Sequence, residues 1–227
     1  MVGQGVRRVR ENAADPGSAE CELVRSLWFT AQMFSIGGIC RMGSGDQNHR
    51  TKLLILDLDE TLIFASETRL AYPEDFRLDE YFVYKRPGLS EFIEFAFQHF
   101  KVAVWTASDV TYADAAVTQI FGDRKRLEFI WTRERCTWKL NLELGTGYWI
   151  KDLKKVAKKG HALNQVLVVD DSPRKLERSY GNYIRVVPFG GDASDRELEQ
   201  LERYLLTLRD VPNVRSLDKR TWRSEPG

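Results

Sequence analysis

Two acidic pairs hold most of the chemistry in this sequence. Asp57 and Asp59 lie two residues apart in DLDETL, directly after the apolar run 53–56, and Asp170 and Asp171 stand side by side after the run 166–169. Carboxylates held this close repel one another unless a cation or a shared proton relieves them. If the pairs converge, the natural remedy is a hard divalent ion such as Mg2+, which takes oxygen ligands and commonly combines one or two carboxylates with substrate phosphate. A lone acidic pair at a strand end is usually a turn or a helix cap. Two pairs, each closing an apolar strand, point to a site. Thr106 and Ser108 add hydroxyl groups after a third run, 102–105.

The elements that must position these groups can be read from the same pattern. Short runs rich in apolar and β-branched residues occur at 53–56, 102–105, 129–131, 166–169 and 184–187. Such runs suit strands of a parallel sheet buried on both faces. Helical segments separate them. Ser90 follows Pro87-Gly88 and precedes EFIEFAFQHF, which is too apolar for a surface helix; a second helix, 112–121, ends at Gly122. Ser194 is expected to open a capping box with Glu197, ahead of a stripe of Leu198, Leu201, Leu205 and Leu208. Strands alternating with helices give an α/β fold, in which ligands sit beyond the carboxyl ends of the strands. That is where all four aspartates, Thr106 and Ser108 fall.

Two further segments carry expectations. Residues 132–149 (TRERCTWKLNLELGTGYW) alternate in polarity, with Gly145 and Gly147 near a turn, and read as a β-hairpin. Lys151, Lys154, Lys155, Lys158 and Lys159 recur at helical spacing, opposite Leu153, Val156 and Ala157. From Lys154 onward this is a solvated helix face. Lys151 is set apart, because it starts that helix within IKDL.

A formal charge of +1 over 227 residues gives no reason to expect nucleic acid or a membrane surface as partner. Three cysteines without a CxxC pair argue against a disulfide framework or a zinc site and suit a reducing compartment. Residues 1–50 are glycine-rich and lack a sustained strand pattern. Their apolar stretch 27–40 is shorter than the roughly 20 residues needed to span a bilayer, and acidic residues separate it from Arg7, Arg8 and Arg10. The expected reading is a poorly ordered or loosely docked tail with one apolar helix, and Met42 offers an alternative start. No membrane span is expected.

DLDETL also matches the DxDxT signature of the haloacid dehalogenase superfamily. With KRPG (85–88), WTAS (105–108), YAD (112–114), IKDL (150–153) and VVDDSP (169–173 with its preceding valine) in that order, residues 52–208 resemble the FCP/SCP-type phosphatases. These include the NLI-interacting-factor-like proteins and act on the RNA polymerase II C-terminal domain. The resemblance implies a HAD-like, Rossmann-type α/β domain over 51–210: a mostly parallel sheet flanked by helices, a small β insertion at 132–149, no large cap, and a C-terminal extension at 211–227. It implies a Mg2+-dependent phosphoserine/threonine phosphatase in which Asp57 is the nucleophile and Asp59 the general acid and base. Thr106 would bond a phosphoryl oxygen, and Lys151 would neutralise charge on the phosphate and Asp57. The metal would be held by the Asp57 carboxylate, the Asp59 backbone carbonyl and Asp171, with Asp170 nearby. Asp171 stands where many relatives carry Asn.

Arg133 matches a substrate-contacting arginine of the relatives and reads equally well as a surface hairpin arginine. The implied partner is a phosphorylated protein or peptide. The implied location is intracellular, nuclear for a eukaryotic polymerase phosphatase and otherwise cytoplasmic. A small-molecule phosphatase on the same scaffold, or a non-catalytic binding relative, remains an alternative.

Overall fold

The computed structural model describes residues 51–142 and 145–224; the expectations for the tail 1–50, including the apolar stretch 27–40, lie outside the described residues. The chain runs through β1 (Leu53–Leu56), β2 (Ile63–Ser66), β3 (Phe76–Leu78), β4 (Tyr81–Lys85) and α1 (Leu89–His99). There follow β5 (Lys101–Trp105), α2 (Val110–Phe121), β6 (Ile130–Trp131), β7 (Thr137–Asn141), β8 (Thr146–Ile150) and α3 (Lys154–Lys158). It ends with β9 (Val166–Asp170), β10 (Tyr183–Arg185) and α4 (Glu197–Arg209).

Five of these strands form a parallel sheet in the order β10-β9-β1-β5-β6. Its centre explains the continuous apolar runs. In β1, Leu54 and Leu56 face a core that includes Phe92, Ile93, Ala116, Val117, Leu201 and Leu205. Leu53 and Ile55 face the opposite side, against Ala103, Trp105, Val168, Leu153 and Leu176. Alternate residues of a strand point to opposite faces, so a strand covered on both sides needs no polar position. The α/β expectation holds, and the stripe of Leu198, Leu201, Leu205 and Leu208 is buried as expected. The C-terminal segment joins the same core through Val214 and through Trp222, which stacks on Tyr204 at 5.5 Å between ring centroids.

Two small antiparallel sheets are added. The β7–β8 hairpin is present, although Thr132 to Cys136 belong to a 3-10 turn over Arg133–Arg135 and its flanks rather than to the hairpin. Gly147 accepts the Trp138 ring so closely that a Cβ there would lie 1.8 Å from it. The second sheet, β2-β4-β3, was not expected from the sequence. Its strands are three to five residues long and only partly buried, so they lack the continuous apolar run that marked the central strands. Among the described residues no large cap is present.

Several local expectations are corrected. The helix expected at 112–121 begins at Val110, because the Asp109 side chain caps it by accepting the Tyr112 N–H at 3.0 Å. Its end at Gly122 is as expected. Ser194 does not cap α4: its N–H and hydroxyl turn back to Asp192, and the Glu197 N–H goes to Asp195 at 2.8 Å. The Glu197 carboxylate instead accepts the Val187 N–H and pairs with Arg223. Lys151 lies between β8 and α3, ahead of the helix it was expected to start. Ala157 is exposed, so the opposite face of α3 is Leu153 and Val156 alone. The edge strands also shift: Phe129 precedes β6, and Val187 lies beyond β10, 51% exposed.

Candidate active site

The two central strands β1 and β9 deliver the acidic residues to one point. Asp57 follows β1 and is tied to β9, its N–H donating to the Val169 carbonyl at 3.0 Å. Asp170 closes β9 and Asp171 follows it. All three are buried, and each offers a carboxylate oxygen within 4.8 Å of the others. Asp59 is not in this cluster. The chain turns sharply after it: Glu60 takes a left-handed φ of 57°, and the Thr61, Leu62 and Ile63 N–H groups all reach the Leu58 carbonyl. A non-glycine residue in that region is uncommon. Here it turns the chain back after Asp59, whose side chain reaches Ser108 beyond β5 and Tyr112 in α2.

Two ammonium groups face the cluster. Lys151, 1% exposed, lies 3.0 Å from Asp57 Oδ1 and 2.5 Å from Asp170 Oδ2. Lys175, in the 3-10 turn Pro173–Leu176, lies 2.7 Å from Asp57 Oδ2, 3.4 Å from Asp171 Oδ1 and 3.7 Å from Asp170 Oδ1. Burial alone would raise the Asp57 carboxyl, but the two lysines outweigh it and hold the group well below the usual carboxylate range. Burial and then the Asp57 charge push Asp170 up, against Lys151 and Lys175. Lys175 is raised: burial opposes its charge, and Asp57, Asp170 and Asp171 overcome that.

Asp59 has a different environment. Its carboxylate accepts the Ser108 hydroxyl at 2.6 Å and the Tyr112 hydroxyl at 2.5 Å. Burial raises its pKa despite these two donors, with the Asp57 charge adding to the rise. Thr106, at the end of β5, is 1% exposed and accepts the Ser108 N–H at 3.0 Å. Arg133 adjoins the same loop. Its N–H goes to the Ser108 carbonyl at 3.0 Å and its Nε to Ala107 O at 2.7 Å. It is exposed and lines a cleft of about 250 Å³ with Asp109, Val110, Glu134 and Trp149. Arg133 is an exposed arginine, as the surface reading has it, but it sits in the turn before the hairpin, beside the end of β5, rather than on the hairpin.

The structure thus gathers Asp57, Asp170 and Asp171, sets Lys151 on the first two, and joins Asp59 to Thr106 and Arg133 through the segment 106–108. One group, Lys175, was missed in the sequence, and the roles of two others were not read there. Lys175 is an i+4 lysine after Asp171, a spacing that could have drawn attention. Ser108 and Tyr112 were noticed within motifs, but the sequence gives no sign that both donate to Asp59. Among the described residues no helix is long and apolar enough to cross a membrane.

The NLI interacting factor-like phosphatase family model matches residues 52–215. A CTD nuclear envelope phosphatase 1 of Xenopus tropicalis is 34% identical over 184 residues, covering 74% of this chain and 71% of the relative. A CTD small phosphatase-like protein 2 of Dictyostelium discoideum is 32% identical over 169 residues, 71% of this chain but only 28% of that longer protein. Among solved structures, Fcp1, an essential RNA polymerase II CTD phosphatase, shares the fold with a TM-score of 0.55 at 16% identity, over 71% of this chain and 63% of that one.

Proposed function

The chain belongs to the NLI interacting factor-like phosphatase family, and on that premise we propose that it hydrolyses phosphoserine or phosphothreonine esters of proteins through a phosphorylated Asp57. The observation that carries this reading is the contrast between its two carboxylates. Asp57 is held ionised by two ammonium groups, whereas burial raises Asp59 and so favours its proton. Carboxylates whose environments push them apart suit opposite roles in acid–base chemistry.

In the first step an Asp57 oxygen attacks phosphorus while Asp59 gives its proton to the departing seryl or threonyl oxygen. In the second, Asp59 takes a proton from water as that water attacks the aspartyl-phosphate, releasing inorganic phosphate and restoring the Asp57 carboxylate and the protonated Asp59. Lys151 bridges Asp57 and Asp170, so it fixes the attacking carboxylate and offers positive charge to the phosphoryl group. The Thr106 hydroxyl, in this reading, bonds a phosphoryl oxygen. Ser108 and Tyr112 orient Asp59 and stabilise it once it has lost its proton.

The buried all-oxygen set of Asp57, Asp170 and Asp171 fits a hard divalent ion, Mg2+ in this reading, with the Asp59 carbonyl as a further ligand. When bound, that ion supplies the charge that lets an anionic carboxylate meet an anionic phosphate. Excess chelator should remove activity and Mg2+ restore it, with Ca2+ a poor substitute. Asp171→Ala should raise the Mg2+ needed for half-maximal rate by about 10-fold or more, since loss of a coordinating carboxylate weakens a small-ion site steeply. Full turnover in chelator would contradict this.

With no large cap among the described residues, the site is open to a side chain on a protein. The catalytic domain in this reading is 51–210, with 1–50 as a tail and 211–227 as an extension; the protein acts inside the cell, in the nucleus if its substrate is a polymerase tail. Arg133 is the substrate-side residue. Its Nε donates to Ala107 O, and its Nη groups are further donors. Arg133→Ala should lower kcat/KM for a phosphoserine peptide by about 10- to 150-fold through loss of one charge-assisted contact. An aryl phosphate should barely respond. Lys151→Ala should impair both. Equal losses on both substrates in Arg133→Ala would remove it from peptide recognition, and a strong preference for sugar phosphates would select the small-molecule alternative.

A further inference from the structure

We propose that Lys175 is the resident cation of the metal-free site, and that a divalent ion binds by exchanging with its ammonium group. The inference rests on the metal reading above. Its ground is the way the two lysines divide the carboxylates. Lys151 holds Asp57 Oδ1 and Asp170 Oδ2. Lys175 holds Asp57 Oδ2 and Asp171 Oδ1, and lies 3.7 Å from Asp170 Oδ1. Lys175 alone therefore approaches all three members of the cluster, and it does so on oxygens that Lys151 leaves free. An ion shared by Asp57 and Asp171 would bind such oxygens at about 2.0–2.1 Å, inside the 2.7 and 3.4 Å at which Lys175 now holds them.

Charge points the same way. Lys175 is a cation held on oxygens of Asp57 and Asp171, so a divalent ion shared by those two carboxylates would meet a like charge at close range, and the repulsion favours a single occupant. The exit is also built in. The Lys175 side chain is 23% exposed, against 1% for Lys151. Its backbone is pinned independently, its N–H to Ser172 O at 3.1 Å and its carbonyl accepting the Lys151 N–H at 2.7 Å. The ammonium can leave on its flexible stem without unfolding the turn.

The test is direct metal binding to the full chain, with Mn2+ titrated by electron paramagnetic resonance and Mg2+ by calorimetry. Lys175→Met should bind either ion about 10- to 100-fold more tightly than wild type, the range expected for removing a competing charge-assisted contact. In chelator it should melt at a lower temperature than wild type and regain more on adding metal. Lys175→Arg keeps the competing charge and should bind no more tightly than wild type; Lys175→Gln is the substitute should Lys175→Met fail to fold. Equal affinity in wild type and Lys175→Met, or weaker binding in the variant, overturns the exchange while leaving the metal site standing. Absence of Mn2+ binding in every folded protein overturns the metal reading and the exchange with it.

Discussion

Asp57→Asn should lower kcat/KM on an aryl phosphate by at least about 10^4-fold, because an amide lacks the charge and the nucleophilicity that the covalent step needs. The fold should survive. Asparagine is nearly isosteric, and the backbone bond from residue 57 to Val169 O does not involve the side chain. Neither lysine is left alone: Lys151 keeps Asp170, and Lys175 keeps Asp170 and Asp171. Asp59→Asn is the informative companion. It should abolish steady turnover yet still form phosphoenzyme slowly from a substrate whose leaving group needs no proton. The measurements are kcat/KM, circular dichroism and acid-quenched labelling with radioactive phosphate. Appreciable turnover by a folded Asp57→Asn protein would sink the mechanism.

The largest loss of stability is expected from Arg86, in KRPG. Its side chain is wholly buried and grips Asp195 with both Nε and Nη2, at 2.9 and 2.8 Å. It also donates to Thr61 O at 3.0 Å and Val187 O at 2.9 Å. It thus ties the turn after Asp59 to the segment beyond β10. Arg86→Met would strand the Asp195 carboxylate and two carbonyls, and breaking a buried pair in this way costs about 3–5 kcal/mol. Tm should fall by about 6–20 °C for a domain of this size. Arg86→Lys should recover little, since an ammonium cannot reproduce the fork. The pair also has an acid limit. Burial opposes ionisation of Asp195, but Arg86 and the Glu197 N–H outweigh it and hold its carboxyl below the usual range. Its contribution is therefore complete at neutral pH and disappears as pH falls through that lowered value. A fall in Tm of less than about 3 °C in Arg86→Met, under about 1 kcal/mol, would show that the network relaxes around its loss.

What the sequence disclosed and what it hid follow from the range of the interactions. The central strands were legible because burial on both faces leaves a local signature, an unbroken apolar run such as LLIL. The convergence of Asp57 with Asp170 and Asp171 was legible too, since an α/β sheet sends its strand ends to one edge. The β2-β4-β3 sheet was not, because half-exposed strands carry mixed residues that resemble loops. Capping of α4 was misread for a related reason. Ser194 had the right spacing, but Arg223 and the Val187 N–H compete for Glu197, and nothing near 197 reveals residues that distant. Arg86 was hidden similarly, since its partners lie across the fold; Lys175 was hidden only in part, its spacing from Asp171 being local while Asp57 is far away in the chain.

The sheet order has a consequence for how the protein comes into being. β1, which presents Asp57, is the middle strand; Leu53 pairs on one side with Lys101 and on the other with Val166. During synthesis the strand gains its first neighbour only when β5 has left the ribosome, and its second only after β9. Until then one edge of the most apolar strand stays open, and α4, which packs on α1, has yet to be made. Pairings separated this widely in the chain form slowly and leave strand edges exposed to other molecules meanwhile. Asp57 is thus encoded early but joined to Asp170 and Asp171 late, and a nascent chain halted before residue 166 would carry DLDETL without its acidic partners.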